Sequence, residues 1–182
     1  MEKKLRSSVN QAASLLNSGE VVAYPTEGVW GVGCDPNNES ALDKLIALKR
    51  RDPLKGLILV GSDINHFSNY VDIDKYGEKM MEKWPGPHTW IVPSKKISSF
   101  ITGNKSTVAL RLSSHETIRE LTTAFGGAIT SSSANEEGKE PAKSYTEVKS
   151  YFDDIFILDG ELGDLESATP IQDLISGNWI RM

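Results

Sequence analysis

The sequence predicts an α/β domain, a twisted mixed β-sheet flanked by helices, formed as a single unit over residues 1–182. Three observations lead there. Apolar runs of strand length, such as Leu57-Ile58-Leu59-Val60, alternate along the chain with amphipathic helical patterns. No fixed-period repeat, low-complexity tract or Gly/Ser linker divides the chain. With 182 residues, 38% of them hydrophobic, there is enough apolar surface for one core and no surplus that calls for two.

From Ser8, the residues Val9, Ala12, Ala13 and Leu16 recur at i, i+3, i+4 and i+7; Ser8 offers an N-cap and Gly19 lies past the end, so a first helix is expected. Residues 21–24 then read as a buried strand ended by Pro25. Ser40 can cap a second helix whose stripe is Ala41, Leu42, Leu45, Ile46 and Leu48, and which runs into Lys49, Arg50 and Arg51. Strands are expected at 57–60, 89–92, 107–112, 128–131 and 155–158, with a weak last one near Trp179. Helices are expected at 74–83 and 115–125, the latter stopped by Gly126-Gly127, and a short one after Thr146. In such sheets ligands gather where loops leave strand ends, which singles out segments 25–34 and 131–141.

The charge balance excludes several classes. A net charge of −5 and a pI near 5.3 do not suit a protein that coats nucleic acid through bulk electrostatics. The longest apolar runs are four residues, far short of the roughly 20 that cross a bilayer. The N-terminal stretch has no apolar region of the signal-peptide kind, and the one cysteine, Cys34, suits a reducing cytoplasm, where the protein is expected. Gly138-Lys139 is followed by Glu140 and lacks the upstream glycine of a phosphate-binding P-loop. Gly31-Val32-Gly33 has Pro36 where a dinucleotide fingerprint needs its third glycine. His66, His88 and His115 are scattered without metal-ligand spacing, so no metal site is assigned. Cys34 is either a nucleophile with a histidine brought near by the fold or a small buried hydrophobe in a glycine-rich turn.

What survives is a set of anion-binding parts. Segment 49–55 carries Lys49, Arg50, Arg51 and Lys55 against Asp52, a net +3 that exceeds what a helix C-terminus needs to complement its dipole. Arg111 sits inside an apparent strand, where it is either an outward-facing charge or a half-buried guanidinium that needs an anionic partner. Thr130 to Asn135 follows a strand with small hydroxyls and an Asn able to take positive φ; it is either a plain polar turn or a cradle of O–H and N–H donors. Trp84-Pro85-Gly86-Pro87-His88-Thr89-Trp90 reads as a rigid turn with core-packing indoles or as a base-stacking platform.

Together these motifs resemble one family. Tyr24-Pro25-Thr26-Glu27-Gly28-Val29-Trp30-Gly31-Val32-Gly33, then Lys49-x-Arg51 with Lys55-Gly56-Leu57, then Trp84-Pro85-Gly86-Pro87, Val108-Ala109-Leu110-Arg111 and Ser131-Ser132-Ser133-Ala134-Asn135-x-x-Gly138-x-x-Pro141 occur in the order of the YrdC-type threonylcarbamoyl-AMP synthases, in their short bacterial TsaC form. The resemblance implies a YrdC-like fold with an electropositive concave cavity. It also implies a nucleotidyltransferase: L-threonine and bicarbonate form a carbamate that attacks the α-phosphate of ATP, giving threonylcarbamoyl-AMP and pyrophosphate. The product would pass to TsaD-type proteins that modify tRNA beside the anticodon, with tRNA contact as a further expectation. Carried over by motif, Lys49 and Arg51 would be catalytic. Lys49, Arg51, Lys55, Thr107, Ser131, Ser133 and Asn135 would bind ATP; Thr26 and Arg111 would bind L-threonine; Mg²⁺ would be carried with ATP, with no metal site of the protein's own. Two features depart from the pattern. Glu136-Glu137 follows Asn135 beside an anion site, and segment 167–171 matches loosely enough that no ligand is assigned to it. A non-catalytic RNA-binding module using the same concavity is the competing class.

Overall fold

Helix and strand alternate in a computed structural model that describes the backbone of residues 2–182 and the side chains of residues 8–182. In chain order the elements are α1 (Glu2–Asn17), β1 (Val22–Pro25), β2 (Trp30–Gly33), α2 (Glu39–Lys49), β3 (Ile58–Gly61), α3 (Ile73–Met81), β4 (Thr89–Pro93), α4 (Ser99–Thr102), β5 (Thr107–Leu112), α5 (Glu116–Phe125), β6 (Ile129–Ser133), α6 (Tyr145–Tyr151), β7 (Phe156–Ile157), β8 (Ile171–Asp173) and β9 (Trp179–Arg181). The strands form one sheet in the order β7-β1-β2-β6-β3-β5-β4-β8-β9. It is mixed, with β1/β7, β3/β5 and β4/β8 parallel and the other neighbours antiparallel.

Because side chains alternate along a strand, the sheet has two apolar faces. On one, Val22, Tyr24, Val60 and Ile129 pack against Val9, Ala12, Ala13 and Leu16 of α1 and Ile118 and Leu121 of α5. On the other, Ala23, Val32, Leu59, Trp90, Val92 and Leu110 meet Ala41, Leu42 and Leu45 of α2 and Met80 of α3. Helices α1 and α5 lie against each other and cover only part of their face. Beyond them runs a row of paired positions: Gly31 opposite Ser133, Ser131 opposite Ile58, Ile58 opposite Ala109, and Ala109 opposite Ile91. Gly31, Ala109, Ser131 and Ser133 in this row are small, and with Ile58 and Ile91 they line a hollow.

Several expectations change in detail. Helix α1 begins at Glu2, so Ser8 lies within it and is not its cap. Helix α2 is capped by Asn38, whose Oδ1 accepts from the Ala41 N–H at 3.1 Å, and not by Ser40. Segment 30–33, expected as loop, is a strand. Its glycines answer to packing, since a Cβ on Gly33 would lie 1.9 Å from the Thr130 carbonyl oxygen. Short elements α4 and β8 were not foreseen at all. Trp84 and Trp90 belong to the core, their indole N–H groups donating to the carbonyls of His88 (2.7 Å) and Met80 (3.1 Å), which settles that motif as a structural turn.

Candidate active site: a hollow lined by cations

The hollow encloses about 530 Å³, and its walls come from segments far apart in sequence. Thr26, Arg51, Lys55, Thr107, Arg111, Ser131 and Ser133, all singled out in the sequence, line it together. Lys105, Thr169 and Arg181 line it as well and were missed. Five of the lining residues are cationic (Arg51, Lys55, Lys105, Arg111 and Arg181), and Asp173 is the one carboxylate among them, in a chain of net charge −5.

Lys49 and Asn135 do not line the hollow, and the reason is a backbone turn. Arg50 ends α2 at φ 50°, ψ 38°, a left-handed conformation that costs a non-glycine residue roughly 1–2 kcal/mol. The turn sends three consecutive cations in three directions. Lys49 goes into the interior, where its Nζ donates to the carbonyls of Ser133 and, at 2.7 Å, Asn135. Arg50 goes out to solvent near Glu136, 3.9 Å away. Arg51 enters the hollow, with Nη2 donating to the Gly56 carbonyl at 3.0 Å and Nε buried without a partner. Burial, with the Arg51 charge adding to it and Glu137 opposing it, lowers the Lys49 ammonium to about 7. Burial likewise lowers the pKa of Arg51, against the pull of Glu137 and Asp52.

The loop that Lys49 holds continues β6. Asn135 turns inward, its Nδ2 donating to the carbonyls of Glu136 and Lys139, both at 2.8 Å. Its expected positive φ is found elsewhere: among non-glycine residues, Arg50 and Asn104 adopt it. Glu137 meets the basic segment directly, pairing with Lys55 and accepting from the Asp52 N–H at 2.8 Å. Lys55 itself ends a single 3₁₀ turn, Pro53–Lys55, whose Leu54 N–H donates to the Asp52 carboxylate at 2.9 Å. Gly56 follows at φ +66°, against the Ile101 carbonyl, where any Cβ would lie 2.7 Å from the oxygen.

At the other end, Arg111 is 4% exposed and has an anionic partner within the chain. Its Nη2 lies 3.2 Å from Oε2 of Glu27, its Nη1 donates to Thr169 Oγ1 at 3.0 Å, and Nε is buried without a partner. Ser113 Oγ donates to the other Glu27 oxygen at 2.6 Å. Thr169 is further joined to Thr89 (3.0 Å between hydroxyls), and its carbonyl accepts from Nε and Nη2 of Arg181. Thr26 donates to the Val29 carbonyl at 2.6 Å, which leaves its oxygen free to accept. Thus segment 167–171, to which no ligand was assigned, forms a wall. Its signal in sequence was slight, a Ser/Thr-rich stretch followed at a distance by one arginine in a short strand.

Other chemistry is absent from the described residues. Cys34 is fully buried against the Thr130 hydroxyl, and burial pushes its thiol up to about 12, which removes the nucleophile reading. Among the described residues no group of three or more His, Cys, Asp and Glu side chains could hold a metal ion. Asp173, the carboxylate in the hollow, already accepts from the N–H groups of Ile175 and Ser176 and from the Ser176 hydroxyl. No helix among the described residues is long and apolar enough to cross a membrane.

The fold is thus an α/β sheet carrying a hollow of about 530 Å³ with five cationic residues in its lining, one of them, Arg111, backed by Glu27. The Sua5/YciO/YrdC family model, described as "Telomere recombination", matches residues 14–181, and the chain belongs to that family. A threonylcarbamoyl-AMP synthase of Photobacterium profundum is 44% identical over 181 residues, covering 96% of this chain and 98% of that protein. One of Aliivibrio fischeri is 42% identical with the same coverage. Among solved structures, P. abyssi Sua5 complexed with L-threonine superposes with a TM-score of 0.85 at 28% identity, over 92% of this chain and 51% of that longer one. E. coli YciO shares the fold, with a TM-score of 0.81 at 23% identity over 97% of this chain and 89% of that one.

Proposed function

We propose that the chain is an enzyme, a transferase that makes threonylcarbamoyl-AMP from L-threonine, bicarbonate and ATP. The observation that carries this reading is the meeting of Arg51 and Lys55 with Arg111 and Thr26 in one hollow, in a chain 44% identical to a synthase of that name. A threonine complex of a neighbour with the same fold supports the amino-acid half.

The amine of L-threonine bonds to the carbon of bicarbonate, a C–O bond breaks and water leaves, giving an N-carboxylate. One carbamate oxygen then bonds to the α-phosphorus of ATP, and the bond from that phosphorus to the bridging oxygen breaks, so that pyrophosphate leaves with the electron pair. Such a transfer asks for in-line positioning and charge stabilisation and for little proton chemistry from the protein. Arg51 and Lys55 are proposed to hold the phosphates, with Arg51 stabilising the transition state. Thr107, Ser131 and Ser133 are proposed to hold the nucleotide from the sheet side. Arg111, with a planar fork suited to a carboxylate, is proposed to hold L-threonine together with the accepting oxygen of Thr26. Lys49 and Asn135 take a different part: they shape the loop that carries Ser133, and Lys49 lends it positive charge. Mg²⁺ would arrive on the ATP phosphates and waters, since the one lining carboxylate, Asp173, is engaged by its own turn. Transfer of the product to a TsaD-type tRNA-modifying partner belongs to the same proposal.

The test is pyrophosphate release from ATP and bicarbonate, with and without L-threonine. Release that requires threonine is expected; ATP turnover indifferent to threonine rejects the reading. A module that only binds RNA would release no pyrophosphate in either case.

A further inference from the structure

We propose that Glu27 is a positioning residue for amino-acid recognition, aiming the Arg111 guanidinium at the substrate carboxylate from a rigid mount behind the wall. The inference rests on the assignment of Arg111 to L-threonine and adds a residue that acts only through it.

Glu27 does not line the hollow, yet it is 6% exposed and sits on the turn after β1. A buried carboxylate without partners would be costly to desolvate. Its partners are close in sequence: Arg111 in β5 and Ser113, just past the end of that strand, both reach the same carboxylate. The backbone beneath is held as tightly. The Gly163 N–H donates to the Thr26 carbonyl and the Leu165 N–H to that of Glu27, both at 2.9 Å. A Cβ on Gly163 would lie 2.7 Å from the Glu27 carbonyl oxygen, and one on Gly28 would lie 2.1 Å from that of Ser167. Segment 163–167 therefore clamps the turn, and Glu27 has little freedom to follow a moving arginine.

One hydrogen bond and one ion-pair contact hold the guanidinium, and Glu27 Oε2 is itself buried without a hydrogen bond. Nη2 faces Glu27, Nη1 donates to Thr169, and the Nε–H is a buried donor with no acceptor. Leaving such a donor unpaired is costly, and a ligand oxygen would relieve it. Without Glu27, the long side chain could swing toward the phosphates in the same hollow, where negative charge is greater. Two effects of removing the carboxylate oppose each other. Its charge partly neutralises Arg111 and so weakens attraction for any anion, while its geometry selects which anion is held. In a hollow that also holds a triphosphate, orientation decides, and threonine affinity is expected to fall.

The experiment is steady-state kinetics of Glu27→Gln, Arg111→Lys and the double variant, with thermal melts of each. Glu27→Gln should raise the threonine KM about tenfold, leave the ATP KM within about twofold and add nothing further in the Arg111→Lys background. An unchanged or lower threonine KM in Glu27→Gln, or losses that multiply in the double variant, overturns the proposal. An unchanged threonine KM in Arg111→Lys instead overturns the parent assignment, and the proposal with it. Should Glu27→Gln fail to fold, Ser113→Ala loosens the same carboxylate; a raised threonine KM with an unchanged ATP KM supports the proposal, and equal effects on both substrates overturn it.

Discussion

Glu137 and Lys55 are ion-paired across 82 residues of sequence at the rim of the hollow, with the same carboxylate accepting from the Asp52 N–H. The pair puts an internal anion where the ATP phosphates are proposed to lie. Its members are 29% and 52% exposed, so solvent screens the contact and it adds little to stability. Glu137→Gln should therefore lower the ATP KM by up to about fivefold, and less at high salt. A raised ATP KM would mean that Glu137 assists binding.

Arg51 is proposed to stabilise the charge that develops on the transferring phosphoryl group. Arg51→Ala should reduce turnover by about 10²–10³, the magnitude of losing one electrostatic donor, with folding intact. Normal pyrophosphate release by the folded variant would remove Arg51 from that role.

Arg111→Lys keeps the charge and loses the planar fork. The ammonium cannot meet Glu27, Thr169 and a carboxylate at once, so the threonine KM should rise at least about tenfold with the ATP KM little changed. Unchanged threonine kinetics would place the amino acid elsewhere.

Lys49 gives a pH prediction. With its ammonium lowered to about 7, bound ATP should favour the protonated form, and binding near neutral pH should take up part of a proton. Calorimetry of ATP binding in buffers of different ionisation heat should show this uptake in the native protein and lose it in Lys49→Met. The sign for stability also follows. Between about pH 7 and the ordinary lysine value of 10.5, the unfolded chain binds a proton that the native one has released, so this group makes the fold more stable as pH rises through that window. Lys49→Met should also lower the melting temperature, because the Ser133 and Asn135 carbonyls lose their donor. Equal proton uptake in both proteins would show that the titrating group is not Lys49.

The pattern of periodicities revealed most of the fold, while charge pattern and the family resemblance together named several residues that line the hollow. Strand Thr107–Leu112 was legible from the apolar run Val108-Ala109-Leu110, and Arg111 stood out as a charge directly after it. Trp30–Gly33 was not, because Gly31 and Gly33 have low strand propensity; the Thr130 backbone explains Gly33, and the Thr26 and Tyr24 side chains crowd Gly31. Arg51 and Lys55 were legible as cations beyond what a helix end needs. The separation of Lys49 from Arg51 was not, since it depends on one left-handed residue, Arg50, which no local rule demands. Glu27 read as part of a turn because its partners lie 84 and 86 residues away. Lys105, in the turn between α4 and β5, and Arg181, on the short β9, are lone cations that only tertiary contact brings to the hollow.

The most direct measurement is a crystal structure with L-threonine and a non-hydrolysable ATP analogue bound together. The phosphates should lie on Arg51 and Lys55 and the threonine carboxylate within hydrogen-bond distance of Arg111, both inside the one hollow. Phosphates outside it, or a threonine carboxylate held by other residues, would contradict the account.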